Sequence, residues 1–276
     1  MKELIYQFYP TTWINQVDSR NAFEAMKSHL SRVKALGATT VWLSPFYPTG
    51  PDLHGGYGCD GGYDVADYCA VDPRFGTLAD FDGFVVEAGR LGMKVIIDLV
   101  LNHTSTAHPW FQASRRREAK YENYYLWTEE DLGWNNQFNE ASAFEMDELR
   151  GEYYLHLFHE EQADLNWECP QVRSEFQKII DFWVLEHGVA GFRLDVPIFI
   201  SKRFTRTWIP RRFGMFAGLS HYYMRKSMLP IFHQLFDRRN LLVVAESGAP
   251  FRFLFDKLFA EKEPAITMAF NAYLPF

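Results

Sequence analysis

The sequence predicts an α/β fold of the barrel type, in which parallel strands are joined through helices. Three observations carry that prediction. First, three runs pair an apolar, β-branched-rich strand with a carboxylate or a histidine at its end: Asp98-Leu99-Val100-Leu101-Asn102-His103, Gly191-Phe192-Arg193-Leu194-Asp195 and Val243-Val244-Ala245-Glu246. Acids at the ends of successive buried strands are how an α/β barrel builds a site on one face. Second, strand patterns alternate with helical patterns along most of the chain. Third, 276 residues with 47% hydrophobic content suit one barrel of about 250 residues, or two smaller domains.

The elements follow in order. Leu4 to Tyr9 predicts the first strand. Phe23, Met26, Leu30, Val33 and Leu36 recur at helical spacing, and Gly37 closes that helix. Thr40 to Ser44 is the second strand, ended by Pro45, and a polar, glycine-rich loop spans 49 to 76. Thr77 caps a helix whose core face is Leu78, Phe81, Val85, Ala88 and Leu91. Lys94 to Leu99 is the third strand. The alternation then stops, and residues 104–168 show no clean period. A structureless loop of that length does not suit a compact domain, so the segment is expected to be a small inserted subdomain. Val172, Phe176, Ile179, Ile180 and Trp183 resume a helical face, Gly188 ends it, and Val189 to Leu194 is strand four. Residues 197–219 read as irregular and basic. A helix is expected within 220–237, strand five at Leu241 to Ala245, a short helix near 251–262 and a sixth strand at 265–270. Six strands fall two βα units short of a closed barrel, so the predicted barrel is incomplete at the C-terminus. The domain expectation is a partial barrel from 1–103 and 169–276, with 104–168 inserted.

Bulk properties exclude several classes. A net charge of -7 and a pI near 5.7 lack the basic footprint of a nucleic-acid-binding protein. No run approaches the ~18 apolar residues of a membrane span, and the first residues have no signal-peptide pattern. Three cysteines, Cys59, Cys69 and Cys169, have no paired spacing. A sparse, odd count fits a reducing cytoplasm.

The chemistry concentrates at the strand ends. Arg193 and Asp195 are two apart on one strand and so share a face. Arg193 is therefore expected to keep the Asp195 carboxylate ionised, as suits a nucleophile. Glu246 ends an apolar strand, where partial desolvation would raise its pKa and let it carry a proton. Each residue also has a plainer reading. Arg-x-Asp at a strand end can be a structural ion pair. Asp98, Asn102 and His103 can cap a loop, and Asp60 and Tyr63 can serve the turn that holds them.

Together, these residues form a longer pattern. The text Trp42-Leu43-Ser44-Pro45, Gly62 through Tyr68, Phe75-Gly76-Thr77, Asp98 through Ser105, His108-Pro109-Trp110-Phe111, Ala163 through Trp167, Gly191 through Asp195 and Val244-Ala245-Glu246 closely resembles the α-amylase superfamily of retaining glycoside hydrolases (family thirteen). Within it, the chain looks like the oligo-1,6-glucosidase and α-glucosidase branch. The resemblance implies a (β/α)8 barrel with a domain inserted after strand three. It implies Asp195 as nucleophile, Glu246 as acid/base, and Arg193 as the group that orients the nucleophile. It implies that His103 binds a sugar hydroxyl, that Asp60 binds hydroxyls at the non-reducing end, and that Tyr63 stacks on the ring. Asp98 and Asn102 would be structural residues beside the site, Asp98 near His103. Val196, directly after the nucleophile, accompanies α-1,6 preference in this branch.

The implied substrate is a short α-glucosyl oligosaccharide, with no metal and no cofactor. The alternatives are a transglycosylating relative of the trehalose or isomaltulose synthase type, or an inactive truncated fragment. The family's third catalytic carboxylate, in an Asn/Val-His-Asp run, has no counterpart here. At most trace activity is therefore expected of the chain alone, with the missing half-barrel as its partner. Two further departures stand out. Arg203, Arg206, Arg211, Arg212 and Arg225 crowd a stretch without a family motif and read as a solvated loop. Residues 14–21 lack the oxygen ligands and glycine of a calcium loop.

Overall fold

A computed structural model describes residues 3–14, 21–51, 57–138, 141–200, 202, 228–236, 240–247 and 268–271. The chain opens with β1 (Ile5–Phe8), α1 (Ala22–Ala35), β2 (Thr40–Leu43), α2 (Leu78–Arg90) and β3 (Lys94–Val100). The segment that sequence periodicity could not resolve holds β4 (His103–Ser105), α3 (Pro109–Arg115), β5 (Trp127–Thr128), β6 (Phe144–Asp147), β7 (Glu152–Leu155) and β8 (Gln162–Asp164). It is built from two small antiparallel sheets, β4-β8 and β5-β7-β6, whose strands are too short to show a period. The β-then-α order returns with α4 (Pro170–Asp181), β9 (Gly191–Asp195), α5 (Met228–Phe236), β10 (Leu242–Ser247) and β11 (Met268–Asn271).

Local chemistry starts and stops the helices. The Asn21 side chain accepts from the Glu24 amide at the head of α1. Gly37, at φ 92°, closes that helix, a conformation that favours glycine. Thr77 and Asp80 form a reciprocal capping box on α2, with Thr77 N–H donating to Asp80 Oδ2 at 2.8 Å and Asp80 N–H to Thr77 Oγ1 at 3.2 Å. α4 runs into a single π turn, Phe182–Glu186, before Gly188.

Six strands form one parallel sheet in the order β1-β2-β3-β9-β10-β11. It is a half-barrel sheet, in agreement with an incomplete (β/α)8 barrel. The expected strands are present with shifted ends. β3 runs on to Val100, β9 begins at Gly191 rather than Val189 and extends to Asp195, and β10 runs through Glu246 to Ser247. The acids thus lie in the strands rather than beyond them. The fifth helix forms at Met228–Phe236, inside the expected range. The expected short helix at 251–262, the five-arginine stretch and most of the segment compared with a calcium loop lie outside the described residues.

The two faces of the sheet bury different things. Val41, Leu43, Val95, Ile97, Leu99, Phe192, Leu194, Val243 and Ala245 face the helices and join one large core with Phe23, Phe81, Phe84, Phe176 and Trp183. The alternate positions Trp42, Ile96, Leu242 and Val244 form a separate inner cluster, with Ile5 packed against it. This is the period-two alternation of strands. Gly191 lies between Ile96 and Leu242 in register, and a Cβ there would stand 1.9 Å from the Leu242 carbonyl oxygen. Only glycine lets β9 and β10 approach so closely. Gly191→Ala is therefore expected to destabilise the chain by at least about 3 kcal/mol, the upper range of overpacking. A thermal melt unchanged from wild type would contradict this.

Candidate active site

The inner face changes character two residues further along each strand. Above Ile96 comes Asp98, above Gly191 comes Arg193 and then Asp195, and above Val244 comes Glu246. The register pairs Asp98 with Arg193 and Arg193 with Val244 across β3, β9 and β10. One guanidinium therefore sits among three carboxylates. Arg193 Nη1 donates to Asp98 Oδ1 at 2.6 Å and to Asp195 Oδ1 at 2.8 Å, and Nη2 meets Glu246 Oε2 at 2.8 Å. Trp42 Nε1 donates to the other Asp98 oxygen at 2.8 Å. The Trp42 and Tyr63 rings stand 5.3 and 5.7 Å from the guanidinium carbon. The Tyr63 hydroxyl accepts from Nη1 at 3.3 Å.

Burial and charge oppose each other here. Burial disfavours the Arg193 charge, but Asp98, Asp195 and Glu246 outweigh it and hold the proton more tightly than usual. Burial also pushes Asp98 up to about 6 against the pull of Arg193. Burial raises Asp195 well above the carboxylate range, and Glu246 and Asp98 add to the rise while Arg193 opposes it. The expectation that Arg193 alone keeps Asp195 readily ionised is therefore corrected: one cation shared by three acids cannot offset desolvation and mutual repulsion. The expected apolar setting of Glu246 is corrected too. Its side chain is 37% exposed and ion-paired, and its Oε2 also accepts from Val196 N–H at 3.3 Å.

Val196 adopts φ 33°, ψ 51°, a left-handed conformation that strains a β-branched residue. The strain turns the chain sharply after Asp195 and directs the Val196 amide to Glu246.

His103 is buried at the head of β4. Its Nε2–H donates to the Tyr63 carbonyl at 3.1 Å, and its Nδ1 accepts from Asn102 Nδ2 at 3.1 Å. That tautomer follows from its partners, since a carbonyl only accepts and an amide nitrogen only donates. Burial lowers the His103 pKa to about 3. Asn102 Nδ2 also donates to Asp164 Oδ1 at 2.9 Å, and Asp164 pairs with Lys202 at 2.8 Å. Asp98 is bonded to Arg193 and Trp42.

Asp60 is half-buried, and its Oδ2 accepts from Gln162 Nε2 at 3.3 Å. The Asp60 carbonyl accepts from Tyr63 N–H at 3.1 Å, closing a turn that passes through Gly62. There φ is 102°, and a Cβ would stand 2.2 Å from the Tyr57 ring.

The structure thus brings Asp98, Arg193, Asp195, Glu246 and Tyr63 into one bonded cluster, joins His103 to it through the Tyr63 carbonyl, and places Asn102 and Asp60 one bond further out. Sequence reasoning missed the roles of Trp42, Gln162, Asp164 and Lys202. Trp42 and Asp164 lay inside recognised motif text. Lys202 had a weaker signal, a single charge closing the apolar run Val196-Pro197-Ile198-Phe199-Ile200.

Comparison with known proteins bears on this geometry. Residues 7–235 match the family model of the α-amylase catalytic domain. The chain belongs to that family, one of glycoside hydrolases. It is 42% identical over 205 residues to the trehalose-6-phosphate hydrolase of Escherichia coli (strain K12), covering 72% of this chain and 36% of the relative. It is 39% identical over 246 residues to the oligo-1,6-glucosidase of Parageobacillus thermoglucosidasius, covering 86% and 42%. Among solved structures, the Bacillus licheniformis trehalose-6-phosphate hydrolase superposes with TM-score 0.82 at 32% identity, over 98% of this chain and 48% of that one. A trehalulose synthase, MutB, superposes with TM-score 0.84 at 30% identity, over 98% and 49%. The chain spans less than half the length of each of these relatives.

The crowding of Asp195 predicts a pH-dependent trade between charge and stability. The folded pKa lies above the unfolded one, so the carboxylate destabilises the fold increasingly as pH rises from the unfolded value through the folded one. Asp195→Asn removes that penalty. It is expected to raise the melting temperature, and by more at pH 8 than at pH 5. A gain that is equal at both, or larger at pH 5, would overturn the reading.

Proposed function

We propose that the chain carries the catalytic centre of a retaining α-glucosidase acting on short α-glucosyl oligosaccharides. The observation that carries this reading is that Asp195 and Glu246 occupy the two nitrogens of a single guanidinium at the ends of neighbouring strands. Carboxylates set so close suit the retaining geometry of about 5 Å rather than the wider gap that admits a water. The Asp195 carboxylate attacks the anomeric carbon while Glu246 gives its proton to the departing glycosidic oxygen. The resulting glucosyl ester is then hydrolysed by a water that loses its proton to Glu246. Arg193 aligns the nucleophile, and Asp98 and Trp42 hold Arg193. Tyr63 offers its ring to the sugar, and Asp60 and His103 take hydroxyls. Asn102 stays structural.

The substrate we favour is a neutral α-1,6-linked glucoside. Among the described residues, the cations at the site are Arg193 and Lys202, each engaged by carboxylates. Val196 after the nucleophile supports the linkage. The same proposal divides the chain into a partial barrel, 1–103 and 169–276, and an inserted domain, 104–168. It also assigns a reducing, cytoplasmic setting, supported by the three free cysteines.

Since at most trace activity is expected of the chain alone, it is joined to the C-terminal half of a relative's barrel and incubated with isomaltose, trehalose 6-phosphate and sucrose to separate the readings. Glucose from isomaltose is expected. Preferential glucose 6-phosphate release from trehalose 6-phosphate would replace the neutral substrate, and an isomerised disaccharide from sucrose would mark a transglycosylase. A mechanism-based α-glucosyl fluoride is expected to label Asp195, as read by peptide mass mapping; a label on another acid would refute its role. Glu246→Gln is expected to slow glycosylation on natural substrates about 10²–10⁴-fold while sparing substrates whose leaving group needs no proton. Equal loss on both classes would remove Glu246 from the proton-donor role.

A further inference from the structure

The ion pair of Lys202 with Asp164 is the most deeply buried in the described structure, with side-chain exposures of 1% and 0%. It lies outside the reacting cluster, yet three segments converge on it. Asp164 ends β8, Lys202 follows the turn after β9, and Asn102 precedes β4. Asn102 Nδ2 bridges Asp164 Oδ1 and His103 Nδ1, so the pair is one amide away from the histidine. The backbone reinforces the junction, with Leu165 N–H donating to the Asn102 carbonyl at 2.9 Å.

We propose that Lys202 is a positioning residue for His103: its ammonium neutralises Asp164, and so keeps the histidine a neutral ring with its proton on Nε2. A carboxylate buried without a cation has two ways to regain balance. It can take a proton itself, or it can draw one onto a nearby base. His103 is the nearest base in the chain of bonds, reached through Asn102. With Lys202 in place, neither occurs, and the Asn102 amide keeps its nitrogen toward both acceptors. The charged and titratable groups that act on His103 are Lys202 and His159, both of which disfavour its protonation, and Asp164, which Lys202 masks. The Tyr63 carbonyl accepts its Nε2–H. A histidine held this way keeps one defined orientation, its single N–H directed to the Tyr63 carbonyl. The consequence for catalysis rests on the proposed sugar-binding role of His103, but the charge relation does not.

The test is nitrogen NMR of the chain labelled with 15N-histidine, followed from pH 5 to 8 with no substrate present. In wild type, the His103 signal, identified by its loss in His103→Gln, is expected to stay neutral with the proton on Nε2. In Lys202→Met, it is expected to become protonated on both nitrogens as the pH falls to 5, which takes a rise in proton affinity of roughly a hundredfold or more from its buried value. Lys202→Arg, which keeps the charge, is expected to restore the neutral ring. A folded Lys202→Met protein whose His103 stays neutral down to pH 5 would overturn the proposal. Should Lys202→Met fail to fold, the variant Lys202→Met/Asp164→Asn decides instead. With both charges gone, His103 is expected to be neutral, and its protonation there would refute the masking of Asp164. Since the readout needs no sugar, it stands apart from failure of the glucosidase reading, which substrate turnover reports.

Discussion

One guanidinium holds this site together. Arg193 is the only cation bonded to Asp98, Asp195 and Glu246 among the described residues, and each acid stands on a different strand. Its position depends on the period-two alternation of β3, β9 and β10 and on a register that sets Asp98 beside it. Slipping any of these strands by one residue would turn its acid toward the helices. The close approach of β9 and β10 at Gly191 and the Trp42 indole, which fixes the far oxygen of Asp98, serve the same geometry.

The cluster works against the stability of the fold that carries it. Three carboxylates around one cation crowd negative charge into a largely buried region, and burying charge is expensive unless it is fully paired. The left-handed Val196 adds strain of about 1–3 kcal/mol. The large apolar core on the helix side of the sheet supplies the compensating stability. Strain and crowding gathered at one end of an otherwise well-packed sheet mark a place maintained for chemistry rather than for folding.

Much of this was legible in the sequence, and the reasons are specific. The core strands were readable because they are continuous apolar runs, and the helices because Thr77, Gly37 and Gly188 punctuate them. Arg193, Asp195 and Glu246 were found because strand periodicity sets their facing. Their electrostatics were not, because a pKa depends on how many acids share a cation, and that count is set by the register between strands distant in sequence. The bonding of Asp98 to Arg193 and Trp42 went unread for the same reason: position along one strand says nothing of what lies on the next. The inserted segment resisted reading because strands of two to four residues carry no period. Lys202 escaped because its partner, Asp164, is reached only by long-range folding.

The small inner cluster of Trp42, Ile96, Leu242 and Val244 has an electrical consequence. It lies directly beneath the charged layer and closes it off with hydrocarbon, so water cannot screen the acids from below. Field lines from the excess negative charge are focused through the opposite end, where the strands stop. A molecule entering there meets an attractive potential only for those of its atoms that are gaining positive charge. The floor of the half-barrel therefore acts as an insulator that makes the opening above it selective for a developing cation.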